Sequence, residues 1–550
     1  MNDIEGEAPK RSLIKSRRAF VKNSLFSILH IYSGFFLSLV TSFILARMIT
    51  QQEWGYLILA LSYTSLFSLI LIFFPPSFGI TINYYIASYH SLEQNTKLKS
   101  FIRNALGLRI LFVSLFFGIA IALFIFSIEL FQINLGIYTN LFLILSPLII
   151  IKSLNLDIYD IYRALNLFNL VFYLLVLNYV IQIIGFVILF FFQHLIILEL
   201  LAVIILLSSV IPFLINVTYL TIKIKFKIKK TEEPPENFRA TLINLYKYGT
   251  PFSVKNFGDS VLRELQTQSI GIFESPEVVT GYNIGANYTN VGSQSLNSLS
   301  NPLAVSFTRL YAKEETEEII KIYQTIFNYI LFGVLFITGL LYFIIDFFLF
   351  LIYGEIYIDY SIILKIMILP IIFNIQNIFF LGLIRAMNKG IIYIPIYLIW
   401  VPLRLICFIV VIMYYGIIWA LFTLLIINIL YFIVLFILIN KIFKIKANIK
   451  KTLFQYFAFF ISFGLTLLLE FFFLNDFNNY LLNLLHLDFF RYFNLFSIII
   501  FCFSYICLNI IFKIIRKQDL NNIEALLVRE NYLTKAIRKA LNIIKKLVRD

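Results

Sequence analysis

Charge is scarce in this chain. Of 550 residues only 14% are Asp, Glu, Lys or Arg, whereas 60% are hydrophobic, and the mean hydropathy is +0.89. No soluble domain is built that way; long apolar runs repeated through a sequence mean a polytopic helical membrane protein. The short alternating segments of a membrane β-barrel are missing. The three cysteines, Cys407, Cys502 and Cys507, each sit inside an apolar run and suggest neither a disulfide framework nor a metal site. The four histidines (His30, His90, His194, His486) are scattered, and only His30 falls where a cavity would be. No glycine-rich nucleotide loop is present, so ATP does not act directly and no cofactor is expected. Acids are outnumbered 30 to 45, for a net charge of +15. In a membrane protein that surplus belongs first to cytoplasmic loops, not to nucleic-acid binding.

Apolar runs of spanning length predict helices near 22–46, 54–74, 103–128, 138–162, 167–192, 195–222, 246–273, 278–301, 322–348, 358–384, 391–414, 417–440, 453–474 and 492–515, about fourteen in all. The first follows a basic N-terminus (1–21) and has no small-residue cleavage site, so it reads as a first helix, not a removed signal. The eighth is too polar for hydropathy alone. It is required because, with the N-terminus inside, Lys and Arg then cluster in every inner loop: Lys97, Lys99 and Arg103; Lys223 to Arg239; Arg309, Lys313 and Lys321; Arg385 and Lys389; Lys441 to Lys451. The outer loops hold mainly acids, such as Glu53, Glu129, Glu274 with Glu277, and Glu355 with Asp359. Arg47 and Arg491 are exceptions. This places both termini in the cytoplasm and the protein in the cytoplasmic membrane.

The seventh and eighth segments are wet where their neighbours are greasy. Residues 246–273 carry Lys255, Asp259, Arg263 and Glu264, and 280–302 read TGYNIGANYTNVGSQSLNSLSNP. Charge at bilayer depth is costly and faces a bundle interior or a water-filled cavity. Residues 223–245, strongly basic and carrying Pro234–Pro235, read as a linker between a bundle at 22–222 and another at 246–440, and equally as a loop on lipid headgroups. Two more helices fill 441–517. The tail, 518–550, has apolar residues at helical spacing and is expected to lie on the membrane as an amphipathic helix; docking to a partner is the alternative.

The halves repeat. Gly55-Tyr56-x-Ile58-x-Ala60 returns at Gly281-Tyr282-x-Ile284-x-Ala286, and Pro76 returns at Pro302. Each half shows a helix, a short acidic outer turn, Gly-Tyr opening the next helix, Pro near its inner end, and an amphipathic inner segment. Repeats of one orientation are related by an axis along the membrane normal.

The stretch ILARMITQQEWGYLILALS (44–62) resembles the first-to-second-helix junction of the Wzx-type polysaccharide flippases, with their Leu-Ala-Arg, acidic turn and Gly-Tyr. Tyr248-Gly249-x-Pro251 and IGIFESPEVVTGYNIGANYT (270–289) resemble that family's second half. The likeness covers roughly 20–330. It implies the multidrug/oligosaccharidyl-lipid/polysaccharide exporter fold, which is MATE-like: two six-helix bundles in a V, with the first, second, seventh and eighth helices facing the cleft, plus two C-terminal helices here. Where many relatives carry an acid in the seventh helix this chain has Gln266, which puts that acid's coupling role in doubt.

Lys255, Asp259 and Arg263 at i, i+4 and i+8 share one helix face and sum to one positive charge. With Asn256 and Gln266 beside them, Asn283, Asn287 and Gln294 on the eighth segment, and Arg47 and Arg404, they form the candidate cavity. Cations suit a diphosphate, and amides suit sugar hydroxyls. A buried ion pair locking the helix is the alternative for Lys255 and Asp259, and an anchoring charge at a helix end for Arg47. Asp259 is expected to temper both Lys255 and Arg263. Arg109 and Lys152 lie inside the third and fourth segments. Asp157, Asp160 and Arg163 read as a solvated inner patch, Glu470 as interfacial, and Lys365 as cavity-lining or snorkelling.

The expected function is a flippase, not an enzyme, carrying lipid-linked oligosaccharide by alternating access. Its partners are that glycan and membrane lipids, with a coupling ion (H+ or Na+) and glycan-assembly proteins as further candidates, and no nucleic acid. Two competing readings are a MATE-like exporter of small organic cations, which favours carboxylates in the cavity, and a membrane glycosyltransferase or polymerase, which needs a large acidic outer loop.

Overall fold

The computed structural model describes residues 7–131, 136–165, 167–192, 196–223, 231–297, 307, 311, 316–387, 389–443, 445, 449–474, 492, 494–512 and 514. Its elements are helices: α1 Glu7–Met48, α2 Gln51–Ser68, α3 Phe78–Ser91, α4 Asn95–Phe131, α5 Gly136–Leu145, α6 Leu148–Ala164, α7 Phe168–Phe191, α8 Leu198–Ile222, α9 Phe238–Phe273, α10 Pro276–Asn297, α11 Thr316–Ile352, α12 Ser361–Ile368, α13 Ile371–Ala386, α14 Tyr393–Phe443, α15 Ile449–Leu469 and α16 Leu495–Ile511. The tail at 518–550 and the outer loop at 475–491 lie outside the described residues.

Nine helices among the described residues are long and apolar enough to cross a membrane. One of them, α14, breaks at Gly416 (φ +82°) and supplies both the eleventh and the twelfth expected segments. The expected segments outside that set are α2, α9, α10 and α16. The first three are too polar and α16 is short. With them every expected span is present as helix, two in kinked form. The fourth is split at Pro147 into α5 and α6, and the tenth at Leu369–Pro370 into α12 and α13. Proline removes a backbone donor and crowds the preceding turn, which is why the breaks fall there.

The chain divides into two compact units. One comprises Met1–Ile284 and Gly390–Thr423, the other Gly285–Lys389 and Leu424–Asp550. In the first, α1 packs on α7, and α3, α4 and α6 share a core of Ile82, Ile86, Phe101, Ile102, Ile161 and Tyr162. Polar knots hold these apolar helices in register. Asn216 bonds Asn155, Tyr162 donates to Asn216 O at 2.8 Å, and Asn178 donates to Ser208 O at 2.9 Å. Helix pairs in lipid lack a hydrophobic drive toward each other, so close packing and such bonds carry the association.

The last part of the basic linker is tied down. Thr231 and Thr96 exchange hydrogen bonds, Glu236 N donates to Ser100 Oγ at 2.7 Å, and Asn104 Nδ2 donates to Glu236 O at 3.2 Å. Asn244 of α9 donates to Glu236 Oε1 at 3.0 Å, so Glu236 joins the start of α9 to α4.

The second unit packs α11, α13, α15 and α16 through aromatic contacts. Phe373 stacks on Tyr456 at 5.6 Å, and Tyr505 donates to Phe332 O at 3.1 Å. Gln455 Nε2 donates to Asn328 O at 3.0 Å, and Tyr456 to Ile372 O at 2.8 Å.

Candidate functional site

α9 carries the candidate site, and small residues set where it lies. A Cβ at Gly249 would stand 1.9 Å from the carbonyl oxygen of Pro76, and one at Gly258 would stand 2.8 Å from Val401. Glycine at these positions lets α9 touch the turn after α2 and the first part of α14. Ser253 Oγ donates to Ile72 O at 3.3 Å, and Gln268 Nε2 to Leu59 O at 3.0 Å, so α2 and its following turn run along α9. Beyond the C-terminal end of α9 Gly55 meets the backbone of Pro276, and Thr280 Oγ1 donates to Gln51 O at 2.7 Å. The two turns that carry the repeated Gly-Tyr pattern therefore lie against each other. The first is held by a capping box between Thr50 and Glu53.

Along this face Lys255 Nζ bonds Asp259 Oδ2 at 2.7 Å. Arg263 lies two turns, about 12 Å, further on. Its Nε and Nη2 both reach Glu264 Oε1 at 2.8 Å. The expectation that Asp259 would temper Arg263 is therefore corrected. Glu264 takes that place because its second oxygen accepts from Ser62 Oγ of α2 at 2.8 Å and is held there. The Arg263 side chain is 64% exposed against 7% for Glu264. Lys152 of α6, an exposed residue, lies within electrostatic reach of Glu264 and Arg263. Arg404 and Arg263 both act electrostatically on Tyr282 of α10, whose hydroxyl donates to Gln266 Oε1 at 3.4 Å. Among the described residues, Lys255 is paired with Asp259 and Arg263 with Glu264, and Lys152 lies within electrostatic reach of the second pair.

Other expected residues lie around this cluster or apart from it. Asn256 Nδ2 donates to Ser77 Oγ at 3.3 Å and is engaged in packing. Asn283 and Asn287 are half-buried on α10, and Gln294 lies on the same helix with its side chain undescribed. Arg47 folds back on its own helix, 3.7 Å over the Phe43 ring and donating to Phe43 O at 3.2 Å. One charge differs from its sequence reading. Asp157 is no part of a solvated patch. It is buried and bonded by Arg109 Nε at 2.8 Å, because Arg109 reaches into the core from α4. Lys365 bonds Asp346 at 2.7 Å, and Glu470 is half-buried with Asn494 donating to it at 2.7 Å. Sequence reasoning passed over Glu264 and Ser62 as partners because they meet from helices 202 residues apart. The described residues contain no group of three or more His, Cys, Asp or Glu placed to hold a metal.

An exposed arginine with an exposed lysine nearby can hold an anionic group where hydration keeps the cost of the charges down. Solved structures share the fold. An inward-facing multidrug resistance MATE transporter of the MOP superfamily aligns at TM-score 0.59 and 14% identity, over 74% of this chain and 94% of that one. The lipid II flippase MurJ in its inward closed conformation aligns at 0.59 and 16%, over 89% and 98%. A MOP superfamily transporter from Pyrococcus furiosus, described as having reversed pocket polarity, aligns at 0.56 and 16%, over 78% and 95%. A search of curated proteins gave no match. Residues 20–304 match the family model of the polysaccharide biosynthesis proteins, and this chain, a polytopic membrane protein with a transporter fold, belongs to that family.

Proposed function

We propose that the protein is a flippase that carries a lipid-linked oligosaccharide on a polyprenyl diphosphate across the cytoplasmic membrane, by exposing one surface alternately to the two sides. The observation that carries this reading is the charge of the α9 surface: Arg263, Lys255 and Lys152 beside Glu264 and Asp259, with Arg263 and Lys152 exposed. Arg263 offers a planar fork to the diphosphate, Lys255 and Lys152 add point charges, and Glu264 and Asp259 keep the hold weak enough for release. The amides of α10 face the hydroxyl-rich glycan. Transport would run between halves at 22–222 and 246–440, with both termini cytoplasmic. A surface of this sign disfavours organic cations.

The test is reconstitution. Proteoliposomes holding the full chain should move a fluorescent polyprenyl-diphosphate oligosaccharide between leaflets and leave a lipophilic cationic dye where it is. Transport of the dye without the glycan lipid would overturn the proposal.

A further inference from the structure

A group of tyrosines gathers near the start of α9, and the reading above does not use it. Tyr84 and Tyr85 come from α3 and Tyr248 from α9. The Tyr84 and Tyr248 rings stack nearly parallel, 4.5 Å between centroids and 15° between planes. Tyr85 meets both edge-on, 5.1 Å from Tyr84 and 6.2 Å from Tyr248. Tyr85 itself rests against Phe101, which is fully buried in the core of α3, α4 and α6. Phe252, one turn along α9, lies 5.8 Å from Tyr248. The rings are therefore held from behind by packed helices. Tyr84 stays 52% exposed in spite of these contacts. Tyr248 backs one of its faces, and the exposure belongs to the rest of the ring.

The helix face that bears Tyr248 decides what can meet this surface. Residues at i, i+4, i+7 and i+11 share one face of a helix, and on α9 these are Tyr248, Phe252, Lys255 and Asp259. A face that carries an ion pair, with the Asp259 side chain 50% exposed, turns toward water and not toward lipid. Tyr248 lies two turns, about 10 Å, from Lys255 along that face. The tyrosine surface thus continues the charged face and is not an aromatic anchor among lipid headgroups. Sugar rings present flat faces of C–H groups ringed by hydroxyls. Those C–H groups carry partial positive charge and are drawn to the negative face of an aromatic ring, as ring edges are in T-shaped pairs. Tyrosine suits both parts, since its body is apolar and its hydroxyl is a polar tip.

We propose that Tyr84, backed by Tyr248, is a carbohydrate platform on which one sugar ring of the carried glycan stacks. It rests on the flippase reading for the cargo, and adds the place where the sugar, as distinct from the diphosphate, is recognised. The site is preformed, so little ordering of the protein opposes binding. The contact uses a ring face and no fixed set of hydrogen bonds, which keeps it weak enough for release and tolerant of which sugar is presented.

The experiment measures binding of two probes to the purified full chain, beside the proteoliposome assay. The probes are the fluorescent polyprenyl-diphosphate oligosaccharide and polyprenyl diphosphate without sugar. Wild type should bind the glycan-bearing lipid more tightly. Tyr84→Leu should weaken that lipid about three- to tenfold, the scale of one aromatic contact, and leave the bare lipid unchanged. Tyr84→Phe keeps the ring and should keep most of the preference. The platform is overturned if wild type shows no preference, if Tyr84→Leu binds the glycan-bearing lipid as wild type does, if both lipids weaken together, or if Tyr84→Phe loses as much as Tyr84→Leu. A glycan preference that Tyr84→Leu removes, in a chain whose proteoliposomes move no glycan lipid, would keep the platform and remove the flippase reading. Normal transport with no effect of Tyr84→Leu on binding would do the opposite.

Discussion

Two arginine–carboxylate pairs in the same unit have the same 2.8 Å contact and opposite surroundings. Arg109 spends four of its five donors within the core. Its Nε bonds Asp157, its Nη1 donates to the carbonyls of Leu71 and Phe74, its Nη2 donates to Ser153, and the pair is 8% and 6% exposed. Arg263 spends two of its donors on one oxygen of Glu264 and leaves its side chain 64% exposed. The first pair stitches α4 to α6 and to the turn after α2, and its burial keeps it from a ligand. The second is half-neutralised and open, as a reversible anion site requires. Proximity of charges therefore says little about role here; what separates them is the donor capacity left over.

That contrast is sharpest under mutation. Replacing Arg109 with Met strands a buried carboxylate, which costs roughly 3–5 kcal/mol. The variant should unfold in detergent at markedly lower temperature, and a second change, Asp157→Leu, should restore much of the loss. A single variant as stable as wild type would show that the pair holds nothing together.

Arg263→Ala should do the reverse. Arg263 is exposed and buried Glu264 keeps the hydrogen bond from Ser62, so the loss of stability should be smaller than in Arg109→Met. Charge-assisted hydrogen bonds are worth about 1.5–3 kcal/mol, so transport of the glycan lipid should fall about ten- to a hundredfold. Arg263→Lys should recover only part, since it offers a point charge in place of a fork. Loss of the protein from the membrane in Arg263→Ala would move it into the class of Arg109.

Glu264→Gln is the mildest of the set. It removes the internal counter-charge, so the glycan lipid should bind more tightly and leave more slowly, and turnover should drop while apparent affinity rises. Looser binding would mean that Glu264 orients Arg263 and does not temper it.

The sequence reading reached the spans because chain length in a bilayer and the placing of Lys and Arg are local signals. α10 was recoverable from charge alternation although it is too polar for hydropathy. The i, i+4, i+8 spacing was enough to put Lys255, Asp259 and Arg263 on one helix. Partners were not legible. Asp157 was assigned to a solvated patch with its near neighbours Asp160 and Arg163, yet it bonds Arg109, 48 residues away. Lys365 finds Asp346 from 19 residues off and across a helix break. Glu264 depends on Ser62 of α2, a contact that no periodicity announces. Breaks at Pro147 and Gly416 were marked by residue type, but their consequences for packing were not.

Binding to the purified protein tests the central claim most directly. A polyprenyl-diphosphate oligosaccharide should bind wild type more tightly than its monophosphate counterpart, and Arg263→Ala should erase most of that difference while the variant keeps its fold. If Arg263→Ala retains the wild-type preference for diphosphate, the open cation on α9 does not read the headgroup and the account is wrong.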